Sequence, residues 1–184
     1  MSKNIDETKH TRVTSVLAIY SNYDKVPENI LNYAADRGTR IHKYCELYAL
    51  NMLFEKVDLD CVEYVQAFID FFDENVEKVI HAEKRFFCDE YFLQGQVDLI
   101  CYVKNFQGEC LIDIKSSLKY SKTWNLQTAA YKHLAVTNNV EVDNRLVLQV
   151  KKDSTFQIYE FQEENYEDEI DLYMQILRAH RYFS

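Results

Sequence analysis

The segments QVDLICYV (residues 96–103) and CLIDIK (residues 110–115) decide the fold of this chain. Both are rich in β-branched and other apolar residues, and residues 105–108 between them (NFQG) have the composition of a tight turn. Gly108 suits a turn position that needs positive φ. The sequence therefore predicts an antiparallel hairpin, whose first strand has its odd-numbered residues 97–103 on one face and its even-numbered residues on the other.

Three ionisable residues of this hairpin are expected to lie on one patch. Alternation along the second strand puts Asp113 and Lys115 on the same face. A turn centred near residues 106–107 pairs positions whose numbers sum to about 213, so Asp98 is expected opposite Lys115, within one or two residues. These charges lie in otherwise apolar strands, where an unpaired charge is costly. We therefore expect the three side chains to interact with one another.

Two interpretations of this patch remain open. In the first, Lys115 forms a salt bridge with Asp98 or Asp113, which is the ordinary role of a lone Asp-x-Lys. That leaves the second carboxylate without a cation. In the second, a divalent cation such as Mg²⁺ takes carboxylate oxygens as ligands and lowers the pKa of a bound water. Lys115 would then orient the water or neutralise charge that develops on a phosphate.

Outward from the hairpin, the chain predicts one mixed α/β domain spanning residues 1–184, with a central sheet of about five strands flanked by helices. Its parts are a helical N-terminal part (about 12–80), a core (about 81–161) and an acidic C-terminal helix (about 163–181). Periodicity and turn signals predict the other elements. These are helices over residues 14–20, 27–35 (opened by Pro27), 37–54 (capped by Asp36), 59–80 and 123–136, strands over 83–92, 145–151 and 155–161, and a loop around 21–24.

Composition narrows the class of protein. The 184 residues suffice for one domain with a full core, and 47% hydrophobic residues argue against disorder. No stretch approaches the roughly 18 apolar residues of a membrane span, and the N-terminus lacks an apolar leader. We expect no membrane contact and a cytoplasmic location, in the host if the chain is phage-encoded. The five cysteines never form C-x-x-C and are expected as buried, reduced thiols.

The net charge of −9 argues against an extended nucleic-acid-binding surface, because phosphate binding requires cations. However, residues 153–184 hold eight acids and only two arginines, so much of the excess lies in one segment. We interpret this acidic run as a solvated helix face; the alternatives are a contact for a basic partner or repulsion of DNA from that side. A local basic cleft elsewhere is compatible with the composition.

Four motifs, in this order, resemble those of the PD-(D/E)XK nuclease superfamily, most closely its RecB-type branch with phage exonucleases. The resemblance covers roughly residues 36–135 and implies a restriction-endonuclease-like fold. Valine at position 97 replaces the proline of the superfamily pattern, which is common in this branch. The motifs are G-x-x-x-H (Gly38, His42), G-x-x-D (Gly95, Asp98) with Glu83 ahead of it, I-D-I-K (112–115), and W-x-x-Q-x-x-x-Y (Trp124, Gln127, Tyr131).

The resemblance implies a role for each matched residue and a Mg²⁺ or Mn²⁺ cofactor. Without the family pattern, His42 could pair with Glu46 on a helix surface, Glu83 could be a solvated edge charge, and Gln127 and Tyr131 could serve helix packing. Some relatives hold an iron–sulfur cluster on C-terminal cysteines; no cysteine follows Cys110, so none is expected. By the resemblance, Lys115 is the catalytic lysine, and Glu83 assists at the metal or at the attacking water. Gln127 and Tyr131 support the site or contact the DNA backbone. The implied metal ligands are Asp98, Asp113, the Ile114 carbonyl, His42 and Glu83.

A cluster after the hairpin indicates a place for the substrate strand. Trp124 and Tyr120, flanked by Lys119 and Lys122, could stack on bases and clamp single-stranded DNA. Ordinary core packing of Trp124 is the alternative.

The function expected from these features is a divalent-metal-dependent deoxyribonuclease, foremost an exonuclease in recombination, repair or phage DNA processing. Its partner would be single-stranded DNA or duplex ends. A structure-specific or nicking endonuclease, a non-catalytic DNA- or protein-binding module, and an RNA nuclease are the alternatives. A homo-oligomer and a protein partner stay open.

Overall fold

The computed structural model describes residues 9–20, 26–54 and 56–184. The loop predicted around residues 21–24 lies outside these ranges. The elements are β1 (Thr11–Arg12), α1 (Val13–Leu17), a 3-10 turn (Ala18–Tyr20), α2 (Glu28–Ala49), α3 (Val62–Asn75), β2 (Val76–Cys88), β3 (Leu93–Val103), β4 (Glu109–Lys115), α4 (Thr123–Thr137), β5 (Asn144–Val150), β6 (Phe156–Phe161), a second 3-10 turn (Glu163–Asn165) and α5 (Tyr166–Phe183).

A six-stranded mixed sheet forms the centre of the domain. β3 pairs antiparallel with β2 along one edge and with β4 along the other, β5 runs parallel to β4, and β6 is antiparallel to β5. β1 contributes two parallel pairs at the start of β3. On that edge, residues 95–98 of β3 pair with neither β1 nor β4, which leaves a gap in the sheet.

Helices cover both faces of the sheet. On one face, α2 and α3 pack against a core that includes Leu99, Ile112 and Leu148. On the other face, α1, α4 and α5 pack against a core that includes Ile100 and Leu111. α4 connects the parallel strands β4 and β5, as such a crossover requires. The mixed α/β class, the helical N-terminal part and the flanked sheet agree with the prediction, with six strands instead of about five.

Two predicted helix boundaries were wrong. The helices predicted over 27–35 and 37–54 are one helix, α2, and Asp36 does not cap it; its carboxylate lies 2.9 Å from Arg40 Nε, one turn later. The helix predicted over 59–80 ends at Asn75, and residues 76–80 begin β2. Pairing of Val76 and Val79 with β3 outweighs the helical periodicity of this segment, since β-branched residues favour a sheet.

The register of the hairpin formed by β3 and β4 differs by two residues from the nominal prediction, at the limit of the expected range. Its pairs include Leu99 with Ile112 and Cys101 with Cys110. Continued by one residue, this register puts Asp98 level with Asp113 instead of Lys115. Gly108 has the positive φ predicted for it (83°), and Asn105 also adopts positive φ (68°).

The acidic C-terminal segment is only partly a solvated face. α5 begins at Tyr166, after the 3-10 turn. Glu169 Oε2 lies 2.5 Å from Nη1 of Arg145, a fully buried β5 residue, and Glu163 Oε1 lies 2.5 Å from Lys132 Nζ on α4. These ion pairs attach α5 and the turn before it to the sheet and to α4.

Two predictions about composition can be compared with the structure. All five cysteines are free and buried, as predicted. Among the described residues, no helix has the length and apolar character that crossing a membrane requires.

Candidate functional site

A cavity of about 880 Å³ opens beside the gap in the edge of β3. Its walls come from the start of α1, one face of α2, and neighbouring residues of β2 and β3. Gly38, Gly95 and Tyr131 contribute small and aromatic surfaces. Its charged lining comprises four cations and three acids: Arg12, Lys43, Arg85, Lys115, Glu46, Glu83 and Asp98.

Three potential metal ligands converge in this cavity from three different elements. His42 projects from α2, Glu83 from β2 and Asp98 from β3, and one donor atom of each lies within 4.8 Å of the others. His42 Nδ1 lies 3.1 Å from Asp98 Oδ1 and 3.7 Å from Glu83 Oε1. His42 therefore does not pair with Glu46, whose carboxylate lies 2.6 Å from Lys43 Nζ.

The backbone of Glu83 turns its side chain toward this cluster. Glu83 has φ 49° inside a strand, a left-handed conformation that is strained for a residue with a side chain. It lies opposite Asp98, because its neighbours pair as Lys84 with Val97 and Ala82 with Leu99. At this point the predicted alternation of β3 fails. Val97 packs in the core on the α4 face, whereas Leu99 packs in the core on the α2 face.

A hydrogen bond from Gln96 of β3 holds the Glu83 carboxylate, and Arg85 of β2 holds Gln96 in turn. Gln96 Nε2 donates to Glu83 Oε2, and Arg85 Nε donates to Gln96 Oε1 at 3.0 Å. Sequence reasoning did not select Gln96 or Arg85. The signal that could have found them is the position of Gln96 inside the G-x-x-D motif and the cationic run next to Glu83.

Asp98 serves both the cluster and the sheet. Its Oδ1 faces His42, and its Oδ2 accepts a hydrogen bond of 2.6 Å from the backbone N–H of Ile114. Pairing between β3 and β4 stops at Leu99, so the carboxylate of Asp98 takes over the next position of the ladder. The contact seen for Ile114 is thus through its N–H; ligation by its carbonyl stays a prediction.

Asp113, Lys115, Gln127 and Tyr131 form a second, adjoining group. Lys115 Nζ lies 2.8 Å from Asp113 Oδ2 and donates to Gln127 Oε1 at 3.1 Å. Gln127 Nε2 contacts Asp113 Oδ1 at 2.9 Å and the Tyr131 hydroxyl at 3.1 Å. The predicted proximity of Asp113 and Lys115 is therefore present. Asp113 is not a member of the cluster formed by His42, Glu83 and Asp98.

Asp113 Oδ2 is a buried acceptor with no hydrogen-bond partner among the described residues. The nearby ammonium of Lys115 is an ion-pair contact at 2.8 Å but lies outside hydrogen-bond geometry. The two atoms attract each other without a hydrogen bond, because attraction between charges depends on distance whereas a hydrogen bond also depends on direction. A buried carboxylate oxygen with an unused lone pair is a suitable ligand for a hard cation.

The electrostatics of the site separate its two aspartates. Burial disfavours the charged forms of Asp98 and His42, but their mutual attraction and hydrogen bonding lower the pKa of Asp98 and raise the pKa of His42 to about 10. Burial raises the pKa of Asp113 to about 6 against the attraction of Lys115, and the charge of Asp98 adds to this rise. Neighbouring carboxylates with unlike proton affinities are typical of sites that bind cations or move protons.

Tyr131 also belongs to this environment. It is buried, and burial, with the charges of Asp113 and Asp98, raises the pKa of its hydroxyl well above the ordinary value. Tyr131 therefore stays protonated at neutral pH.

The residues predicted to clamp DNA lie outside the lining of this cavity. Trp124 is buried, with its ring 5.2 Å from that of Tyr120 and 5.5 Å from that of Tyr159. These contacts agree with the packing alternative for Trp124. Tyr120 keeps 47% of its surface exposed, and Lys119 and Lys122 are exposed. A role in strand binding stays a prediction for these residues.

The fold has a counterpart among solved structures. A protein from Eubacterium rectale described as "Putative exonuclease" superimposes with a TM-score of 0.58 over 97% of this chain and 85% of its own, at 11% identity. The two proteins share a fold. A second structure, of the protein SSO0001, matches 95% of this chain and 79% of its own at 14% identity, with a TM-score of 0.39, too low to support an argument. No protein-family model and no curated protein sequence matches the chain.

Proposed function

We propose that this protein is a divalent-metal-dependent DNA nuclease that hydrolyses phosphodiester bonds, acting as an exonuclease in recombination, repair or phage DNA processing. The observation that carries the proposal is the convergence of His42, Glu83 and Asp98 in one cavity that Lys115 also lines, with Asp113 buried next to Lys115. The shared fold with a protein described as an exonuclease supports it.

The residues present fit a hard divalent cation. Asp98, Glu83 and His42 supply donor atoms within 4.8 Å of one another, His42 once the cation has displaced its proton, and Asp113 supplies a buried oxygen without a hydrogen-bond partner among the described residues. These residues, with the Ile114 carbonyl, would hold Mg²⁺ or Mn²⁺, which prefer carboxylate and other oxygen ligands. When bound, such an ion lowers the pKa of water and stabilises charge on a phosphate.

The chain's own residues would orient the reactants. Lys115 is held by Asp113 and Gln127, and an ammonium has three donors, so it can also donate to the attacking water or to a phosphate oxygen. Water would attack phosphorus while the bond to the 3′ oxygen breaks, and that oxygen would take up a proton. Gln127, bonded to Asp113 and Tyr131, fixes the position of the lysine.

The charge of the cavity supports a phosphate-bearing substrate despite the net charge of −9. Arg12, Lys43, Arg85 and Lys115 line it and can neutralise backbone phosphates. The ion pairs of Glu163 and Glu169 with cations of the sheet and α4 account for part of the acidic C-terminal segment without any role toward DNA.

Cleavage assays test the proposal. Purified protein with Mg²⁺ or Mn²⁺ is incubated with end-labelled single- and double-stranded DNA, beside Lys115→Ala and Asp113→Ala. We expect cleavage by the wild type and a loss of at least about 10²-fold in both variants, because Lys115→Ala removes a cation at the reacting phosphate and Asp113→Ala removes a carboxylate that would hold the metal and that holds Lys115. Lys104→Ala, whose lysine contacts the Glu74 carbonyl away from the cavity, is the matched control and keeps wild-type activity.

A covalently closed circular substrate distinguishes the exonuclease from an endonuclease on the same fold, since an exonuclease leaves it intact. Equal cleavage by the wild type and both active-site variants would show that the activity comes from a contaminant or another site. Calorimetry that detects no binding of Mn²⁺ would favour a non-catalytic binding module.

A further inference from the structure

A second cavity, of about 420 Å³, lies where β4 and β5 end. Because these strands are parallel, their carboxyl ends meet at one edge of the sheet. Residues 116–118 and 150–153 line it, with the buried ring of Tyr64 from α3. None of these residues belongs to the metal-ligand cluster or to the Lys115 group described above.

The two cavities adjoin at a position where α2 has no side chain. Gly38 lines the first cavity, and Ser116 lines the second and directly follows Lys115 in the chain. A Cβ added at Gly38 would lie 3.8 Å from Ser116 Oγ, at ordinary contact distance. A methyl group would fill the space between Gly38 and Ser116, so the two cavities are separated by little more than this contact, and a larger side chain at position 38 would cover Ser116.

The lining of the second cavity suits an anion that contacts water on one side. Lys151 and Lys152 contribute two cations, and the Lys151 ammonium uses one of its three donors on Gln157 Oε1 at 3.3 Å. The one lining carboxylate, Asp153, directs its Oδ1 to the N–H and hydroxyl of Thr155, at 3.1 and 2.6 Å. Hydroxyls of Ser116 and Ser117 complete the polar lining.

A further cation lies behind this lining. The guanidinium of Arg37 stacks 4.8 Å from the ring centroid of Tyr64, and its buried Nε has no hydrogen-bond partner among the described residues. Arg37 is the residue before Gly38, so its charge is next to the junction of the cavities. Leu118, 88% exposed, adds an apolar surface at the mouth that a base could cover.

We propose that the second cavity binds a backbone phosphodiester of the nucleic-acid strand whose neighbouring bond occupies the first cavity. This inference rests on the proposed nuclease function and names a subsite of it. Lys151 and Lys152 neutralise the phosphate, the Ser116 hydroxyl donates to one of its oxygens, and the short separation of Gly38 from Ser116 brings this phosphate next to the first cavity. The subsite contacts phosphate and sugar, so it positions the strand without selecting a base sequence.

Binding measurements with a paired control test the subsite. Anisotropy of a fluorescein-labelled single-stranded oligonucleotide is titrated in EDTA, so that no cleavage occurs, at several salt concentrations. The proteins are the wild type, Lys151→Ala/Lys152→Ala, and Lys78→Ala/Lys104→Ala as a control of equal charge change. We expect the first double variant to bind more weakly and its salt slope to fall by about 0.7 for each lost contact. The control should match the wild type.

A substrate series then tests the position of the contact. Oligonucleotides carry one neutral methylphosphonate at successive positions from the scissile bond. We expect one position near that bond at which the substitution weakens binding to the wild type and has no further effect in the Lys151→Ala/Lys152→Ala variant. Displacement of the whole oligonucleotide by a 5′-mononucleotide at the same site would instead indicate a product-binding cavity and overturn the proposal.

The two proposals fail in different ways. If the wild type cleaves DNA and both double variants bind alike, the subsite is wrong and the nuclease assignment stands. If the wild type neither binds nor cleaves DNA, the assignment fails and the subsite with it. Thermal melting of the variants excludes loss of fold as the cause of weak binding, since both lysines lie outside the buried core.

Discussion

At the scale of single residues, Gly95 lies where α4 comes closest to β3. A Cβ at this position would lie 2.8 Å from Tyr131 Cε1 and 2.9 Å from Leu134 Cδ1. These contacts show that the missing side chain at Gly95 leaves room for α4. Since Tyr131 is bonded to Gln127, the glycine also determines where the Lys115 group lies relative to β3.

Replacement of Gly95 by alanine should therefore destabilise the protein by about 1–3 kcal/mol, because overpacking forces neighbouring side chains to move. Gly38→Ala is the matched control: its Cβ has room, and alanine in a helix interior is favoured by roughly 0.5–1 kcal/mol. Urea unfolding of both variants measures the difference. A stable Gly95→Ala protein with unchanged unfolding midpoint would contradict the close contact.

The sequence predicted contacts between side chains correctly where both residues lie on one strand. Strand alternation alone predicted the proximity of Asp113 and Lys115. Alternation failed in β3, where Val97 and Leu99 pack on opposite faces of the sheet, and residue type gives no signal for this change or for the left-handed φ of Glu83 opposite it. The contact of His42 with Asp98 joins residues 56 positions apart, and only the family resemblance connected them before the structure did.

At the scale of elements, a buried ion pair attaches α5 to the sheet. Arg145 is fully buried on β5, and Glu169 of α5 reaches it at 2.5 Å while accepting from Asn125 Nδ2 at 3.0 Å. Arg145→Met should destabilise the protein by about 3–5 kcal/mol, because it leaves the Glu169 charge poorly compensated. The double variant Arg145→Met/Glu169→Met should lose less than the sum of the single losses. Denaturant unfolding of the four proteins measures this coupling, and additive losses would contradict it.

The ends of helices and strands were predicted correctly where the hydrophobic periodicity and the turn residues indicated the same boundary. β4, α4, β5 and β6 lie within one or two residues of their predicted ranges. The error at residues 76–80 arose because Val76, Val79 and Ile80 continue the apolar spacing of α3, and only pairing with β3 distinguishes strand from helix there. Arg145 was missed because a charged residue at the start of a strand suggests exposure.

At the scale of the whole molecule, the candidate site requires α2, β2, β3, β4 and α4 to be in place together. A ligand that binds this assembled state and not the unfolded chain stabilises the fold. At a Mn²⁺ concentration a hundredfold above its Kd, the gain is about 2.7 kcal/mol, which corresponds to a rise in Tm of roughly 5–10 °C for a chain of this size.

Thermal unfolding after EDTA treatment, with and without added Mn²⁺, measures this rise. Asp98→Asn is the control, because the amide oxygen can still accept from the Ile114 N–H while the negative charge is lost. We expect a much smaller rise in this variant. The same rise in both proteins would mean that the ion binds elsewhere.

The sequence predicted the layers of the fold, a sheet between helices, but not which helices cover which face. Alternating helices and strands indicate a mixed sheet covered by helices. Which helices share a face depends on long-range packing, as between α2, α3 and the Leu99 face of the sheet, and single-sequence periodicity does not record it.

Because the Ile114 N–H of β4 orients the Asp98 carboxylate of β3, the candidate site of the proposed enzyme cannot form before these strands have paired. The side chain that would carry the metal is oriented only after β4 has docked beside β3, and Glu83 faces it only once β2 has paired as well. A nascent, truncated or heat-damaged chain thus lacks an assembled cutting centre. The proposed activity would therefore be confined to molecules in which β2, β3 and β4 have paired.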